Sequence, residues 1–108
     1  MEKEETKLQN AIRAELSRIG IVRRNNVGTF LTAYGKPIAI GLPGEADLTL
    51  FAKGGKTVFI EIKTAAGRQS KQQRAFEKRV KELGFDYVIM RSLEDARELV
   101  REVENTDG

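Results

Sequence analysis

Residues 47–63 hold the pattern that most narrows what this chain can fold into. Asp47-Leu48-Thr49-Leu50-Phe51 and Thr57 to Lys63 both read as strands. Between them, Lys53-Gly54-Gly55-Lys56 supplies turn chemistry, so the segment predicts an antiparallel hairpin. Alternation along the second strand puts Phe59, Glu61 and Lys63 on one face and Val58, Ile60 and Ile62 on the other. Two charged side chains therefore stand on a strand that otherwise reads as core.

Helical periodicity brackets the hairpin. Leu8, Ala11, Ile12, Leu16 and Ile19 recur every 3.6 residues and predict a helix over residues 5–19, with Gly20 as its stop. Ser70-Lys71-Gln72-Gln73 has the form of a capping box. The helix it opens should turn Phe76, Val80 and Leu83 inward and end at Gly84. Phe85 to Met90 reads as a third strand. Ser92-Leu93-Glu94-Asp95 caps a last helix with Ala96, Leu99, Val100 and Val103 on one face, and Asn105 to Gly108 should fray. Residues 21–43 are rich in glycine, with short extended pieces at 21–23, 29–31 and 38–40 between turns. The order is helix, about three strands, helix, strand, helix. It predicts one α/β domain over residues 1–108, a mixed sheet flanked by helices.

Composition excludes several chemistries. The chain has no Cys and no His. Disulfides, thiolate sites, Ser-His-Asp triads and HExxH zinc sites are ruled out. A metal here would be held by oxygen, which favours Mg²⁺ or Mn²⁺. No apolar run approaches the roughly 20 residues that span a bilayer. Met1-Glu2-Lys3-Glu4-Glu5 lacks the plan of a signal peptide, so a soluble, cytoplasmic protein is expected. The net charge of +3 is unevenly spread. Residues 64–81 carry Arg68, Lys71, Arg74, Lys78, Arg79 and Lys81 against Glu77, whereas six acids crowd residues 92–108. A basic middle suits a polyanion partner, and it equally suits two solvated helix faces.

Three carboxylates fall at positions that look buried. Glu15 projects into the face set by Leu8, Ile12, Leu16 and Ile19. A lone buried carboxylate there needs either an Arg partner or a cation. Asp47 opens the strand before that of Glu61. A two-residue turn at Gly54-Gly55 would place Asp47 and Glu61 on opposite faces. An odd-length loop such as Lys53-Gly54-Gly55, or a bulge, would place them on the same face. Three carboxylates about 5 Å apart would repel by roughly 3 kcal/mol per pair at an effective dielectric of 20, and a divalent cation relieves that. Glu61-Ile62-Lys63 alone is weak, because Glu5-Thr6-Lys7 has the same form and a simple salt bridge accounts for it.

The spacing of Asp47 and Glu61-Ile62-Lys63 resembles the PD-(D/E)XK nuclease signature. Gly44-Glu45-Ala46-Asp47, Glu61-Ile62-Lys63 and Gly67-Arg68-Gln69-Ser70-Lys71-Gln72-Gln73 resemble, more narrowly, the VRR-NUC group of virus-type replication-repair nucleases. The likeness covers nearly the whole chain and is that of a stand-alone, phage-type member. Ala46 stands where that signature has Pro before the Asp.

The resemblance implies a restriction-endonuclease-like αβββαβ core with an extra C-terminal helix, and metal-dependent hydrolysis of DNA phosphodiesters. It implies that Asp47, Glu61, the Ile62 carbonyl and Glu15 hold Mg²⁺ or Mn²⁺. Lys63 would orient or activate the attacking water, and Gln73 would touch substrate or the Lys63 region. The capping box gives Gln73 a second role, as the partner of Ser70 in the cap.

Arg68 and Lys71 are candidate phosphate contacts, and Arg23, Arg24 and Lys36 candidate DNA contacts in a glycine-rich arm or loop. Tyr34 suits either stacking on an unpaired base or half-burial. The implied activity is a structure-selective endodeoxyribonuclease, working as a homodimer on four-way junctions or flaps. A phage-encoded member would act in the host cytoplasm. The competing functions are a non-catalytic DNA-binding module with the same fold and a protein-interaction domain.

Overall fold

The computed structural model describes residues 3–106. Helix α1 (Glu4–Leu16) leads into β1 (Gly20–Arg24), β2 (Gly28–Leu31), β3 (Pro37–Ile40), β4 (Leu48–Ala52) and β5 (Lys56–Ile62). Helix α2 (Lys71–Glu82), β6 (Asp86–Met90) and α3 (Leu93–Thr106) follow. A four-stranded sheet runs β1-β4-β5-β6. Its first two pairings are antiparallel and β5–β6 is parallel, joined by α2, so the sheet is mixed. The expected αβββαβ order holds for this sheet once β2 and β3, a separate two-stranded ribbon, are set aside as an insertion.

The sheet has two covered faces. On one, Leu48, Leu50, Val58, Ile60 and Ile62 pack with Ile12, Leu16 and Ile19 and with Ala96, Leu99, Val100 and Val103 of α3. On the other, Phe59 and Tyr87 meet Phe76 and Val80 of α2. Phe59 stands edge-on to Phe76 and Phe85, with centroids 5.4 and 5.8 Å apart. Such edge contacts add about 0.5–1.5 kcal/mol each beyond burial. No helix among the described residues is long and apolar enough to cross a membrane.

Four expectations are corrected. Helix α1 ends at Leu16, and Ser17–Ile19 form a tight turn closed by the Ile19 N–H donating to the Leu16 carbonyl. Gly20 is the first residue of β1 rather than a helix stop, and a Cβ there would lie 2.2 Å from the Phe51 carbonyl oxygen. Leu83 is 55% exposed, because it is the C-cap of α2, one residue past the helix, and not an inward-facing helical position. Asn105 and Thr106 continue α3, whereas Asp107 and Gly108 lie outside the described residues.

Candidate functional site

The hairpin loop decides where Asp47 points. Ala52 pairs with Lys56, leaving the three-residue loop Lys53-Gly54-Gly55. Gly54 and Gly55 both adopt positive φ, at 77° and 76°, which costs glycine little. This odd loop puts Leu48 opposite Ile60, so the next position outward sets Asp47 opposite Glu61. Asp47 and Glu61 therefore share the α2 face of the sheet with Lys63, as the odd-loop alternative requires. Asp47 Oδ2 accepts the Ile62 N–H at 2.7 Å, which ties the two strand ends together.

Glu61 is 1% exposed, and among the described residues neither of its carboxylate oxygens has a hydrogen-bond partner. Lys63 Nζ is 3.7 Å from Oε2, an ion-pair distance without a formed hydrogen bond. Burial raises the Glu61 pKa most, and the Asp47 side chain and charge raise it further. Lys63 offsets part of this, and the result is about 8. Protonation gives Glu61 a proton to share with Asp47, whereas ionised Glu61 faces another carboxylate with no donor between them. Tyr87, in the same layer, has its phenol pKa pushed up by burial and by the Glu61 charge. Two buried oxygens that accept no hydrogen bond, beside a second carboxylate, make a donor set that fits a hard divalent cation.

The walls of the site come from three segments. Gly44, with φ at 77°, lies so close to α2 that a Cβ would sit 2.2 Å from the Gln72 carbonyl oxygen. Asn25 Nδ2 donates to the Ala46 carbonyl at 3.0 Å and to Thr49 Oγ1 at 2.9 Å, and the Asn25 N–H donates to the Asp47 carbonyl. These segments border an open cavity of about 300 Å³ lined by Asn25, Gly44, Glu45, Asp47, Ser70 and Gln73, among others. Gln73 completes the capping box: its Oε1 accepts the Ser70 N–H at 2.8 Å, and its own N–H donates to Ser70 Oγ. The carboxamide oxygen is thus committed to the cap, in a residue that also lines the cavity beside Asp47.

Behind Lys63, the loop over residues 64–67 is held by Arg91. Its guanidinium donates to the Thr64 and Gly67 carbonyls, each at 2.8 Å, and Gly67 lies against the Lys63 stem. Nothing in the sequence pattern singled out Arg91, because its partners are backbone carbonyls. Glu4 was also missed. It lines a cavity with Leu8, Thr64, Ala65 and Arg91, so the first turn of α1 is the part that faces this loop.

Glu15 does not join Asp47 and Glu61. It lies on the α1–α3 side of the sheet, where Arg18 Nη1 donates to its Oε2 at 2.9 Å. Its charge also acts on Arg101 of α3. A helical wheel gives the angle of a side chain but not the neighbour that meets it, and here the neighbour is an Arg. No group of three or more Asp and Glu residues converges tightly enough to hold a metal among the described residues. The Ile62 side chain belongs to the opposite core. Arg23 and Arg24 are exposed on β1, and Lys36 is exposed in the β2–β3 turn. Arg23 pairs with Thr49 and so shares the face of Asp47. Arg68 is exposed one residue beyond Gly67, and Lys71 is exposed in the first turn of α2. Tyr34 is exposed rather than half-buried.

No family model and no curated protein matches the chain. It is similar in structure to a solved "VRR_NUC domain", with a TM-score of 0.69 and 19% identity, over 93% of this chain and 97% of that one. The chain therefore has the fold of a VRR_NUC domain, and the pair Asp47–Glu61 with Lys63 sits on that fold.

Proposed function

We propose that the chain is an Mg²⁺- or Mn²⁺-dependent endodeoxyribonuclease that hydrolyses phosphodiester bonds in branched DNA. The observation that carries this reading is buried Glu61, whose two carboxylate oxygens accept no hydrogen bond among the described residues, opposite Asp47 and beside Lys63. Asp47 and Glu61, with the Ile62 carbonyl, would hold the cation. When bound, it supplies charge neutralisation and Lewis acidity toward a phosphoryl oxygen.

The chain's own groups do the rest. Lys63, 18% exposed, presents its ammonium beside the carboxylates, where it orients an attacking water and offsets charge on the phosphate. Water adds to phosphorus, one P–O bond breaks, and a phosphate monoester and a hydroxyl end result. Arg68 and Lys71, both exposed, would contact flanking phosphates. Gln73 positions the start of α2 through its cap. A homodimer would set two such sites on a four-way junction, and flaps are the next substrate. The compartment proposed is the cytoplasm, of the host if the chain is phage-encoded.

The test is nicking of a labelled four-way junction with Mn²⁺. Wild type should nick, and Glu61→Gln or Lys63→Ala should reduce nicking at least about a hundredfold while junction binding persists. Binding without cutting under any divalent ion would establish a DNA-binding module instead.

A further inference from the structure

The β2–β3 ribbon adds nothing to the sheet that builds the site, and both of its strands are exposed throughout. It makes the molecule longer than compact: the radius of gyration is 14.9 Å, against roughly 13 Å for a compact domain of about 100 residues. An isolated two-stranded hairpin is marginal in water. This one also carries an apolar row, because Phe30 pairs with Ile38, and Ile40 lies two residues on along the same face.

Its tip is built rather than loose. Thr32 Oγ1 accepts the N–H groups of Tyr34 and Lys36, and the Thr32 N–H donates to the Lys36 carbonyl. The turn holds Tyr34 out at 97% exposure.

Two further observations say what meets this surface. From the start of β1 to Gly44, residues 20–44 contain no Asp or Glu in a chain with sixteen, and their charges are Arg23, Arg24 and Lys36. The ribbon also springs from the wall of the site. The chain enters the ribbon through Asn25, just past β1, where the Asn25 N–H donates to the Asp47 carbonyl, and the exit returns through Gly44, Glu45 and Ala46 to Asp47. An acid-free, cationic surface suits a polyanion and repels a second copy of itself.

We propose that the β2–β3 ribbon is a DNA-contacting arm that recognises a branch, with Tyr34 stacking on a base left unstacked there. Lys36 at the tip and Arg23, on the face of Asp47, neutralise phosphates between the tip and the site. The proposal rests on the nuclease reading and names how that site selects branched over linear DNA. Four strand residues at about 3.3 Å each reach roughly 13 Å, so the tip contacts DNA about four base-pair steps from the ribbon's root.

The experiment uses the full chain with Ca²⁺ and a four-way junction carrying 2-aminopurine at the branch. Wild type should change the probe's fluorescence, Tyr34→Ala should not, and Tyr34→Phe should restore the change. Tyr34→Ala should weaken junction binding about tenfold and leave linear duplex binding unchanged. Lys36→Ala should weaken both alike and lower the salt slope by about one.

Unchanged fluorescence and affinity in Tyr34→Ala would overturn the proposal. So would light scattering that shows Tyr34→Ala or Phe30→Asp converting a dimer to a monomer with DNA affinity per protomer intact, since the arm's occupant would then be a second copy. Failure of wild type to cut any DNA with Mg²⁺ or Mn²⁺ would sink the nuclease reading alone, because the fluorescence readout needs no cleavage.

Discussion

Asp47 and Glu61 face each other across the ends of β4 and β5, and the Ile62 N–H donating to Asp47 Oδ2 at 2.7 Å holds them there. Their mutual repulsion makes the site costly to the folded state without a cation. Glu61→Gln should therefore leave the metal-free protein at least as stable as wild type at pH 8, with a gain of about 1–3 kcal/mol. Wild type should gain thermal stability with Mn²⁺, and Glu61→Gln and Asp47→Asn should not. Thermal melts with and without Mn²⁺ check both. A destabilised metal-free Glu61→Gln would show that the ionised pair supports the fold.

The raised pKa of Glu61 has a definite sign. The folded state favours its proton, with a value of about 8 against 4.5 for the free acid. That contribution to stability is fully present below about 4.5 and is lost as pH rises through about 8. The loss is of the order of a few kcal/mol. Denaturant melts of metal-free protein from pH 5 to pH 9 should show it, and Glu61→Gln should remove this component. Because a cation competes with the same proton, Mn²⁺ affinity measured by calorimetry should rise with pH up to about 8 and then level off.

Residues 47–63 were readable because two simple periods govern them. Alternation fixed the face of Glu61 and Lys63, and loop parity reduced the position of Asp47 to two options, of which the three-residue loop selects one. The capping box at Ser70 was equally plain, since both of its partners lie within four residues. Glu15 was misplaced because the choice between a cation and Arg18 depends on tertiary neighbours. Gly20 serves a close strand crossing that no local rule reveals. The β2–β3 ribbon was visible as short strands, but which sheet they would join was not encoded in their alternation.

Arg91 holds the loop that follows Lys63. Its guanidinium spans the Thr64 and Gly67 carbonyls, and its own N–H donates to Asp95 Oδ2 at 2.8 Å. Arg91→Ala should free the loop and lower junction nicking about tenfold, mostly in kcat, while leaving Mn²⁺ affinity unchanged. Arg91→Lys should rescue poorly, because one ammonium does not reproduce the fork. Equal loss of Mn²⁺ affinity in Arg91→Ala would mean the residue supports the carboxylates rather than Lys63.

Gly44 and Gly54 share a φ of 77°, and their surroundings differ. A Cβ at Gly44 would lie 2.2 Å from the Gln72 carbonyl oxygen, whereas one at Gly54 meets nothing within 4 Å. Both Gly→Ala changes carry the cost of a left-handed backbone, about 1–2 kcal/mol. Gly44→Ala adds an overlap with helix backbone that cannot rotate away, so the chain between Gly44 and Asp47 must move. It should lose about 2–4 kcal/mol in total and bind Mn²⁺ weakly. Gly54→Ala should lose only the smaller amount and keep wild-type Mn²⁺ affinity, because it preserves the loop length that sets Asp47 opposite Glu61. Parallel melts and calorimetry of the two variants separate backbone strain, which they share, from displacement of Asp47, which only Gly44→Ala should cause.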